Sequence, residues 1–411
     1  MNFEFFLAKR MRSSTSDEST VSERIIKIAI TAIALGVIMI LIALGTSLGL
    51  QKEIKAKTIA LSGDIRIAPF ENNNSAISVT PIKKETLADI SWQEADKVAY
   101  EYPFISKGVL FKSGNEFEGG IIKGLDEKYP QHKLVRYLVE GDFPKLDRSI
   151  SNEIFLSTIL ARKLNVEIGD RVTAYFQSTS EGGIPRLRYF TLSGIYQTDF
   201  PDFDNHYGFV DLRHLQRINQ WEKNEIGGVE VFVTPGTEIK TYAGKVYNKL
   251  PPHIDVQTVD ELYRGIFDWI ALFDFNVLII LIVMIVVGTL NMSTALLVLI
   301  LERSRMIGVL KTLGATGQQI QKLFLINAGY IILKGLFIGN FLGGLMLYSQ
   351  KKHQWLSLDP ATYFVEEIPV DLPLQYVIGL NILVFVVCVG VLWFPTIIIG
   401  KIDPTKVLKF R

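Results

Sequence analysis

The sequence has one cysteine, Cys388, among its 411 residues, and its formal net charge is +1. A single cysteine excludes an internal disulfide and leaves the redox compartment open. None of the five histidines stands at metal-ligand spacing from another histidine or from the cysteine, so no metal site is predicted. The near-zero net charge gives no bulk attraction for nucleic acid.

The chain also lacks the short motifs of common enzyme chemistry. It has no Gly-x-x-x-x-Gly-Lys-Ser/Thr loop to cradle nucleotide phosphates, no Gly-x-Ser-x-Gly elbow and no His-Glu-x-x-His. We therefore predict no enzyme activity in this chain and no cofactor bound by it.

Hydrophobic residues are abundant, at 48% of the chain, and they are clustered. Apolar runs cover residues 25–50, 269–301, 321–349 and 373–400. Each exceeds the roughly 20 residues that a helix needs to cross the ~30 Å hydrocarbon core of a bilayer. The first run would reach roughly 39 Å as a helix, which indicates tilt or a stalk beyond the membrane.

Residues 51–268 are polar and mixed. Alternating patterns predict strands at 63–68, 107–112, 119–124, 171–176, 188–196 and 228–233. Helices are predicted at 86–99, 152–164, 212–220 and 240–250. The predicted fold is thus an α-helical membrane protein of four transmembrane helices, with a large extracytoplasmic α+β domain inserted between helices 1 and 2.

The distribution of lysine and arginine predicts the orientation. Five of these residues lie in 1–27, four in 302–322 and four in 401–411, whereas the short loop 350–371 has two against four acids. Positive residues favour the cytoplasmic side, so both termini and the segment after helix 2 are predicted inside.

The chain is accordingly divided into nine predicted segments. They are a cytoplasmic amphipathic N-terminal helix and connector (1–24), transmembrane helix 1 (25–50), the periplasmic α+β domain (51–268), helix 2 (269–301), a cytoplasmic coupling helix and turn (302–320), helix 3 (321–349), an external loop (350–372), helix 4 (373–400) and a cytoplasmic tail (401–411).

Small residues in two spans predict close helix packing. The glycines concerned are Gly36, Gly45 and Gly49 in the first span, and Gly335, Gly339 and Gly343 in the third. For any one glycine of the first span, simple chain flexibility is the alternative. Lys334 is an ionisable residue inside a span and is therefore a candidate functional residue. The alternative is that its side chain snorkels to the membrane surface or pairs inside the helix bundle.

The segment 302–316 reads as a short amphipathic helix between two spans. Met306, Val309, Leu310 and Leu313 fall on one helical face. Gly314 is suited to end the helix in a left-handed conformation. Thr316 and a glutamine three residues later form a predicted capping box for the next helix.

The motif Glu302-Arg303-x-Arg305-x-Ile307-Gly308-x-Leu310-Lys311-x-Leu313-Gly314-Ala315-Thr316 resembles the FtsX/MacB/LolC-E superfamily of ABC-transporter permeases. The resemblance implies that this helix docks on a separate ATPase subunit, which binds ATP and Mg. The residues implied in ATPase coupling are Glu302, Arg303, Arg305, Met306, Val309, Leu310, Leu313 and Gly314.

Three further stretches carry the resemblance. Residues 153–172 and 188–210 are similar to the extracytoplasmic core domain of that superfamily. The segment Asp359-Pro360-x-x-Tyr363-Phe364, with Pro369-Val370 after it, resembles the lipoprotein-releasing (LolC/LolE-type) branch. This branch implies a bacterial inner-membrane permease with two ATPase copies, a second permease chain, identical or homologous, and a lipoprotein substrate.

The loop at 177–186 separates two predicted strands. Its residues Gly182, Gly183, Ile184, Pro185 and Arg186 resemble the protruding hairpin that holds a periplasmic lipoprotein carrier. An ordinary hairpin loop with glycine and proline as turn residues is the alternative.

Three other functions stay open. One is a MacB-like mechanotransmitting exporter of small molecules or peptides. Another is an FtsX-like transmembrane signalling subunit that controls a cell-wall hydrolase. The third is a membrane-anchored binding protein without an ATPase, which the coupling motif disfavours.

Overall fold

The computed structural model describes residues 20–73, 76–88, 97–147, 149–177 and 184–397. The amphipathic helix predicted within 1–24 lies almost entirely outside the described residues, as do the predicted tail and residues Gly182 and Gly183. The chain divides into two compact units. One, the membrane unit, comprises Met1–Lys52, Trp269–Ser357 and Glu367–Arg411; the other, the α+β unit, comprises Glu53–Asp268 and Leu358–Glu366.

Thirteen α-helices occur among the described residues. In chain order they are α1 (Thr20–Ser62), α2 (Lys84–Ala88), α3 (His132–Val135), α4 (Thr158–Leu164), α5 (Pro201–Asp204), α6 (Leu212–Asn219), α7 (Ile239–Tyr247), α8 (Val259–Leu262), α9 (Arg264–Glu302), α10 (Ser304–Thr312), α11 (Gly317–His353), α12 (Pro360–Tyr363) and α13 (Leu374–Thr396).

Twelve strands occur in the same described part of the chain. They are β1 (Ile65–Pro69), β2 (Ile82–Lys83), β3 (Val98–Ser113), β4 (Glu116–Leu125), β5 (Leu138–Gly141), β6 (Glu153–Ser157), β7 (Arg171–Phe176), β8 (Arg186–Tyr196), β9 (Tyr207–Asp211), β10 (Glu225–Ile226), β11 (Gly228–Val233) and β12 (Ile254–Thr258).

Four helices, α1, α9, α11 and α13, are long and apolar enough to cross a membrane. The prediction of four membrane helices is therefore confirmed at this level. α1 has 43 residues, about 65 Å of helix, which is twice the hydrocarbon thickness. It continues twelve residues past the end of its apolar run and supplies residues to both compact units.

Within the membrane unit, α11 presents its glycines to α1. A Cβ placed on Gly335 would lie 2.8 Å from the Cβ of Ile33, and one on Gly339 would lie 2.7 Å from the Cβ of Val37. A Cβ on Gly343 would lie 3.0 Å from Cδ1 of Leu41. Because real Cβ atoms do not approach as closely as they would at Gly335 and Gly339, the absence of side chains on one helix allows the other to pack against it.

Polar side chains join α11 to α13. Asn340 and Asn381 exchange two hydrogen bonds, of 2.6 and 3.0 Å, and Gln321 donates to the hydroxyl of Thr396 at 2.7 Å. In lipid these groups have no water to bond, so their mutual satisfaction fixes the register of the two helices.

The α+β unit is built on a ten-stranded sheet with the order β12-β1-β11-β3-β4-β9-β6-β8-β5. Strand β7 pairs with both β3 and β8, so the pairing β3-β4-β9-β6-β8-β7 returns to its start as a closed ring. Helices α4 and α6 pack on this ring over a buried core that includes Phe111, Leu160 and Leu215. A second core beneath α7 includes Val231 and Tyr242.

Two predicted helices of this unit are wrong in part. Residues 153–157 form strand β6 and only 158–164 are helical, because Ile154, Phe155 and Leu156 are all fully buried between neighbouring strands. A continuous apolar run of this length does not distinguish a buried strand from a helix. The helix predicted at 86–99 also ends too late, since β3 begins at Val98.

The C-terminal end of α1 is buried in the α+β unit, and its last carbonyls are capped by side chains. The hydroxyl of Tyr129 donates to the carbonyl of Ala60 at 2.9 Å, and the ammonium of Lys123 donates to that of Leu61 at 2.5 Å. Lys123 also pairs with Glu230, at 2.6 Å, and both side chains are almost fully buried. These bonds satisfy groups that a helix end otherwise leaves unpaired.

We expect Gly339→Ala to destabilise the membrane unit. The new methyl would meet the Cβ of Val37 and, at 2.9 Å, the carbonyl oxygen of Ala34, neither of which is the free end of a flexible side chain. Overpacking of this kind costs about 1–3 kcal/mol. Thermal unfolding of the purified chain in detergent would show a lower midpoint.

Gly344→Ala is the matched control, because a Cβ at that position meets nothing within 4 Å. Equal midpoints for the Gly339→Ala and Gly344→Ala variants would contradict the proposed contact between α1 and α11.

Candidate functional site

The coupling segment is a separate short helix with defined ends. α9 ends at Glu302 and α10 begins at Ser304, with Arg303 in a non-helical conformation between them. Gly314 has a φ of +92°, as the sequence predicts for a helix end. The amide of Thr316 donates to Gln319 Oε1 at 2.9 Å, and the amide of Gln319 donates back to Thr316 Oγ1 at 3.3 Å, which completes the predicted capping box of α11.

The predicted apolar face of α10 is divided between two environments. Met306 and Leu310 are half-buried and pack against the core of the membrane unit. Val309 is 43% exposed and Leu313 is 79% exposed. The structure thus leaves two adjacent apolar side chains, one helical turn apart, on the surface of this helix.

Ile307 anchors α10, and the sequence reasoning did not include it among the site residues. It is fully buried in the core that holds Leu296 and Ile300 of α9 and Ile320 of α11. The seven-residue spacing from Ile300 to Ile307 is the signal that would have identified it.

The charged residues implied in coupling differ in exposure. Glu302 and Arg305 are exposed, whereas Arg303 is half-buried and its Nε atom is a buried donor without a hydrogen-bond partner among the described residues. The exposed surface of the segment therefore combines both signs of charge with Val309 and Leu313.

The three glycines of the first span that were predicted to allow close packing each face a different neighbouring segment. A Cβ on Gly36 would lie 3.7 Å from Met284 of α9, and one on Gly45 would lie 3.2 Å from Leu347 of α11. A Cβ on Gly49 would clash with the backbone of Pro369, just before α13. Lys334 is exposed on α11, with its ammonium 4.8 Å from the ring centre of Tyr330.

The predicted carrier-contact loop joins the adjacent antiparallel strands β7 and β8. Residues 178–183 lie outside the described part of the chain. Ile184 is 86% exposed, and Arg186 donates to the carbonyl of Ile218 at 2.6 Å. Arg186 is thus held against the end of α6, whereas the apolar side chains of Ile184 and Pro185 are exposed.

The α+β unit also contains a groove that the sequence did not predict. Two cavities, of about 250 and 510 Å³, share Lys84 and Asp126 in their walls. The larger one also includes Arg217 and Trp221. No cluster of histidine, cysteine or carboxylate side chains suited to a metal ion was found among the described residues.

Asp126 is the titratable group at the junction of the two cavities. Burial raises the pKa of its carboxyl to about 6, against the opposing effect of a hydrogen bond from the Lys128 amide and of the Lys84 and Lys128 charges. This carboxyl therefore changes charge in the mildly acidic range.

Two protein families match this sequence. Residues 28–250, more than half of the chain, match the family described as MacB-like periplasmic core domain, and residues 278–404 match the family described as FtsX-like permease C-terminal. The lipoprotein-releasing system transmembrane protein LolC of Neisseria meningitidis is 22% identical over 402 residues, covering 93% of this chain and 94% of that protein. LolE of Haemophilus influenzae is 21% identical over 424 residues, covering 99% of both chains.

Among solved structures, the periplasmic region of MacB from Actinobacillus actinomycetemcomitans matches with 13% identity and a TM-score of 0.36, covering 49% of this chain and 91% of that one.

We expect Asp126→Asn to stabilise the protein above pH 6. The folded-state pKa of about 6 lies above the ordinary value of 3.8, so the stability contributed by the protonated carboxyl is fully present below pH 3.8 and is lost as the pH rises through 6. Asparagine does not ionise, so the variant should gain ~3 kcal/mol at pH 7.5 relative to the parent protein.

The measurement is the unfolding midpoint at pH 4 and at pH 7.5, with Glu127→Gln, an exposed neighbour, as the control. A stabilisation that is equal at the two pH values would show that ionisation of Asp126 is not its cause.

Proposed function

This chain belongs to the family of membrane ABC-transporter permeases that combine a MacB-like periplasmic core domain with an FtsX-like C-terminal region, and we propose that it releases lipoproteins from the bacterial cytoplasmic membrane. The observation that carries the proposal is the similarity, along almost the whole chain, to proteins named as lipoprotein-releasing permeases. In this proposal the chain hydrolyses no ATP itself; a separate ATPase subunit binds ATP and Mg.

The proposed topology places the α+β unit and the external loop in the periplasm and places both termini and α10 in the cytoplasm. The family match of residues 28–250 supports a periplasmic unit. The excess of lysine and arginine in 1–27, 302–322 and 401–411 supports a cytoplasmic location for those segments.

The proposed ATPase contact is the exposed surface of α10 and its flanks. Val309 and Leu313 would fill an apolar depression on the ATPase, with Glu302 and Arg305 at the rim. Ile307 fixes the opposite side of α10 to the core shared by α1, α9 and α11. A displacement of α10 would therefore reach the membrane helices through packed side chains, which is how rigid elements transmit motion.

The proposed complex contains two ATPase copies and a second permease chain, identical or homologous. Exposed apolar side chains support the proposal that α9 faces lipid, since Phe275, Ile282 and Leu290 are each more than half exposed. We propose that α1 and α9 of the two permeases close on the acyl chains and expel them toward the periplasm. A lipoprotein carrier would then meet the loop that ends in Ile184, Pro185 and Arg186.

The MacB-like core gives a second candidate, a mechanotransmitting exporter of small molecules or peptides, which would act with the same ATPase contact. The FtsX-like region leaves a signalling permease that controls a cell-wall hydrolase as a third.

The ATPase contact is tested with the double variant Val309→Asp and Leu313→Asp. Two carboxylates would be buried without partners at the contact, so we expect the amount of co-purified ATPase to fall about tenfold or more. The fold of the permease should persist, because both side chains are exposed. Gln318→Asp, which adds one negative charge at an exposed neighbouring position, is the control. Full retention of the ATPase in the double variant would rule out this contact.

The cargo is tested with the purified permease–ATPase complex in proteoliposomes that carry an acylated lipoprotein. We expect ATP, but not a non-hydrolysable analogue, to transfer the lipoprotein to the soluble fraction in the presence of a carrier. A complex that hydrolyses ATP normally but releases no lipoprotein would instead favour export or hydrolase control.

A further inference from the structure

Lys57 is a buried lysine on the part of α1 that belongs to the α+β unit. Its side chain is only 6% exposed, and its ammonium lies 3.3 Å from Asp199 Oδ2. The same ammonium donates to the backbone carbonyl of Phe364 at 3.0 Å. A buried charge that has both a carboxylate and a carbonyl as partners is a directional contact between three separate chain segments.

Both acceptor residues of Lys57 have an unusual backbone. Asp199 has a φ of +59° and Phe364 a φ of +61°. Non-glycine residues in this region are strained and persist where the surrounding contacts impose them. The two strained residues therefore meet at one ammonium.

Further contacts hold residues 358–366, which we call the strap, on the same site. The ring of Phe364 stacks on the fully buried ring of Phe200, with centroids 4.6 Å apart and planes inclined by 23°. The amide of Gln197 donates to Asp199 at 2.8 Å and to Glu366 at 3.0 Å. The strap is thus fixed by an ion pair, a ring contact and a side-chain bridge.

The residues that follow the strap also bind α1, within the membrane unit. The ammonium of Lys52 pairs with Asp371 at 2.7 Å, and the amide of Asp371 donates to the carbonyl of Gly45 at 3.1 Å. Gly49 has no side chain where Pro369 lies against it. The connection between α11 and α13 therefore contacts α1 at Gly45, Gly49, Lys52 and Lys57, which span about 18 Å of helix.

We propose that Lys57 is a positioning residue for energy coupling: it holds the strap on α1, so that the segment linking α11 to α13 follows α1 during the transport cycle. The inference rests on the proposed ATP-driven function. A methionine of similar length would fill the same space, and Asp199, 17% exposed, would keep the hydrogen bond from Gln197. Replacing both members of a buried ion pair by apolar groups is often neutral for stability, whereas removing one member leaves the other charge without its partner. Unlike a methionine, the ammonium makes directional hydrogen bonds, and it makes them to the carbonyl of Phe364 and to the carboxylate of Asp199 at the same time.

The experiment compares Lys57→Met and Lys57→Arg with the parent chain, each assembled with its ATPase in detergent. Lys55→Met is the control, since Lys55 is 41% exposed and its ammonium lies as far as 4.0 Å from the carboxylate of its partner Asp260. Hydrogen exchange is measured at the strap, where the amides of Tyr363 and Phe364 donate to Asp359 and Pro360. ATP with vanadate is added to trap the closed ATPase.

We expect Lys57→Met to speed exchange of the strap amides about tenfold and to remove their response to nucleotide. Lys57→Arg should restore part of both, and Lys55→Met should change neither. In proteoliposomes, Lys57→Met should lower lipoprotein released per ATP hydrolysed while the ATPase rate stays within about twofold.

Unchanged exchange in Lys57→Met would overturn the proposal, whatever the cargo is. Equal losses of ATPase rate and release would also overturn it, because a purely structural role predicts that result. If the parent complex releases no lipoprotein but its strap still responds to nucleotide through Lys57, the cargo assignment fails and the positioning role stands. Should Lys57→Met not accumulate, Phe364→Leu, which removes the ring contact with Phe200, is measured in the same way.

Discussion

The burial of the last turn of α1 is the constraint on which the α+β unit depends. A helix end in contact with water needs no side-chain caps, but this one lies among packed strands. The ammonium of Lys123 meets the carbonyl of Leu61 and is itself neutralised by Glu230. Burial lowers the pKa of Lys123, and the Glu230 charge opposes that effect. The helix end and the strands β4 and β11, which carry these two residues, are therefore fixed as one cluster.

That cluster gives α1 a defined role in the proposed mechanism. Its apolar part packs against the glycines of α11, whose missing side chains set how closely the two helices approach. Its C-terminal part is buried at Ile54, Thr58 and Leu61. One uninterrupted helix therefore carries both sets of contacts.

The sequence predicted the elements that follow from local chemistry. Four long apolar runs are sufficient to identify four spans, and Thr316 with Gln319 is sufficient to identify the start of α11. The α+β unit was harder, because strand β6 is buried on both sides and lacks the alternation that marks a half-exposed strand. The three aspartates at 199–204 illustrate the same limit. A cluster of this kind is typical of a solvated acidic turn, but Asp204 is 2% exposed and accepts a hydrogen bond from Thr198, and Asp199 pairs with Lys57.

The candidate site shows the limit most clearly at α10. Helical spacing placed Met306, Val309, Leu310 and Leu313 on one face. Spacing alone does not show which part of such a face packs on its own protein and which part faces a partner. That division depends on Ile307, because its burial in the core sets the orientation of the helix in which Met306 and Leu310 also pack against the core.

Lys57, in the last part of α1, and Lys123, on β4 beside the end of α1, are both buried, but the loss of each would affect different contacts. Lys123 is bonded to residues of the α+β unit, namely the carbonyl of Leu61 and the carboxylate of Glu230, so its removal would leave the Glu230 charge buried without a cationic partner. Lys57 is bonded to Phe364, in a segment whose chain continues into two membrane helices. A fold that needed only stability would close this site with apolar side chains, as Phe200 and Phe364 already do beside it. The ammonium of Lys57 is fully bonded only when α1, Asp199 and the strap are all in place. The lysine therefore specifies how these three segments are aligned, which apolar packing alone would not do.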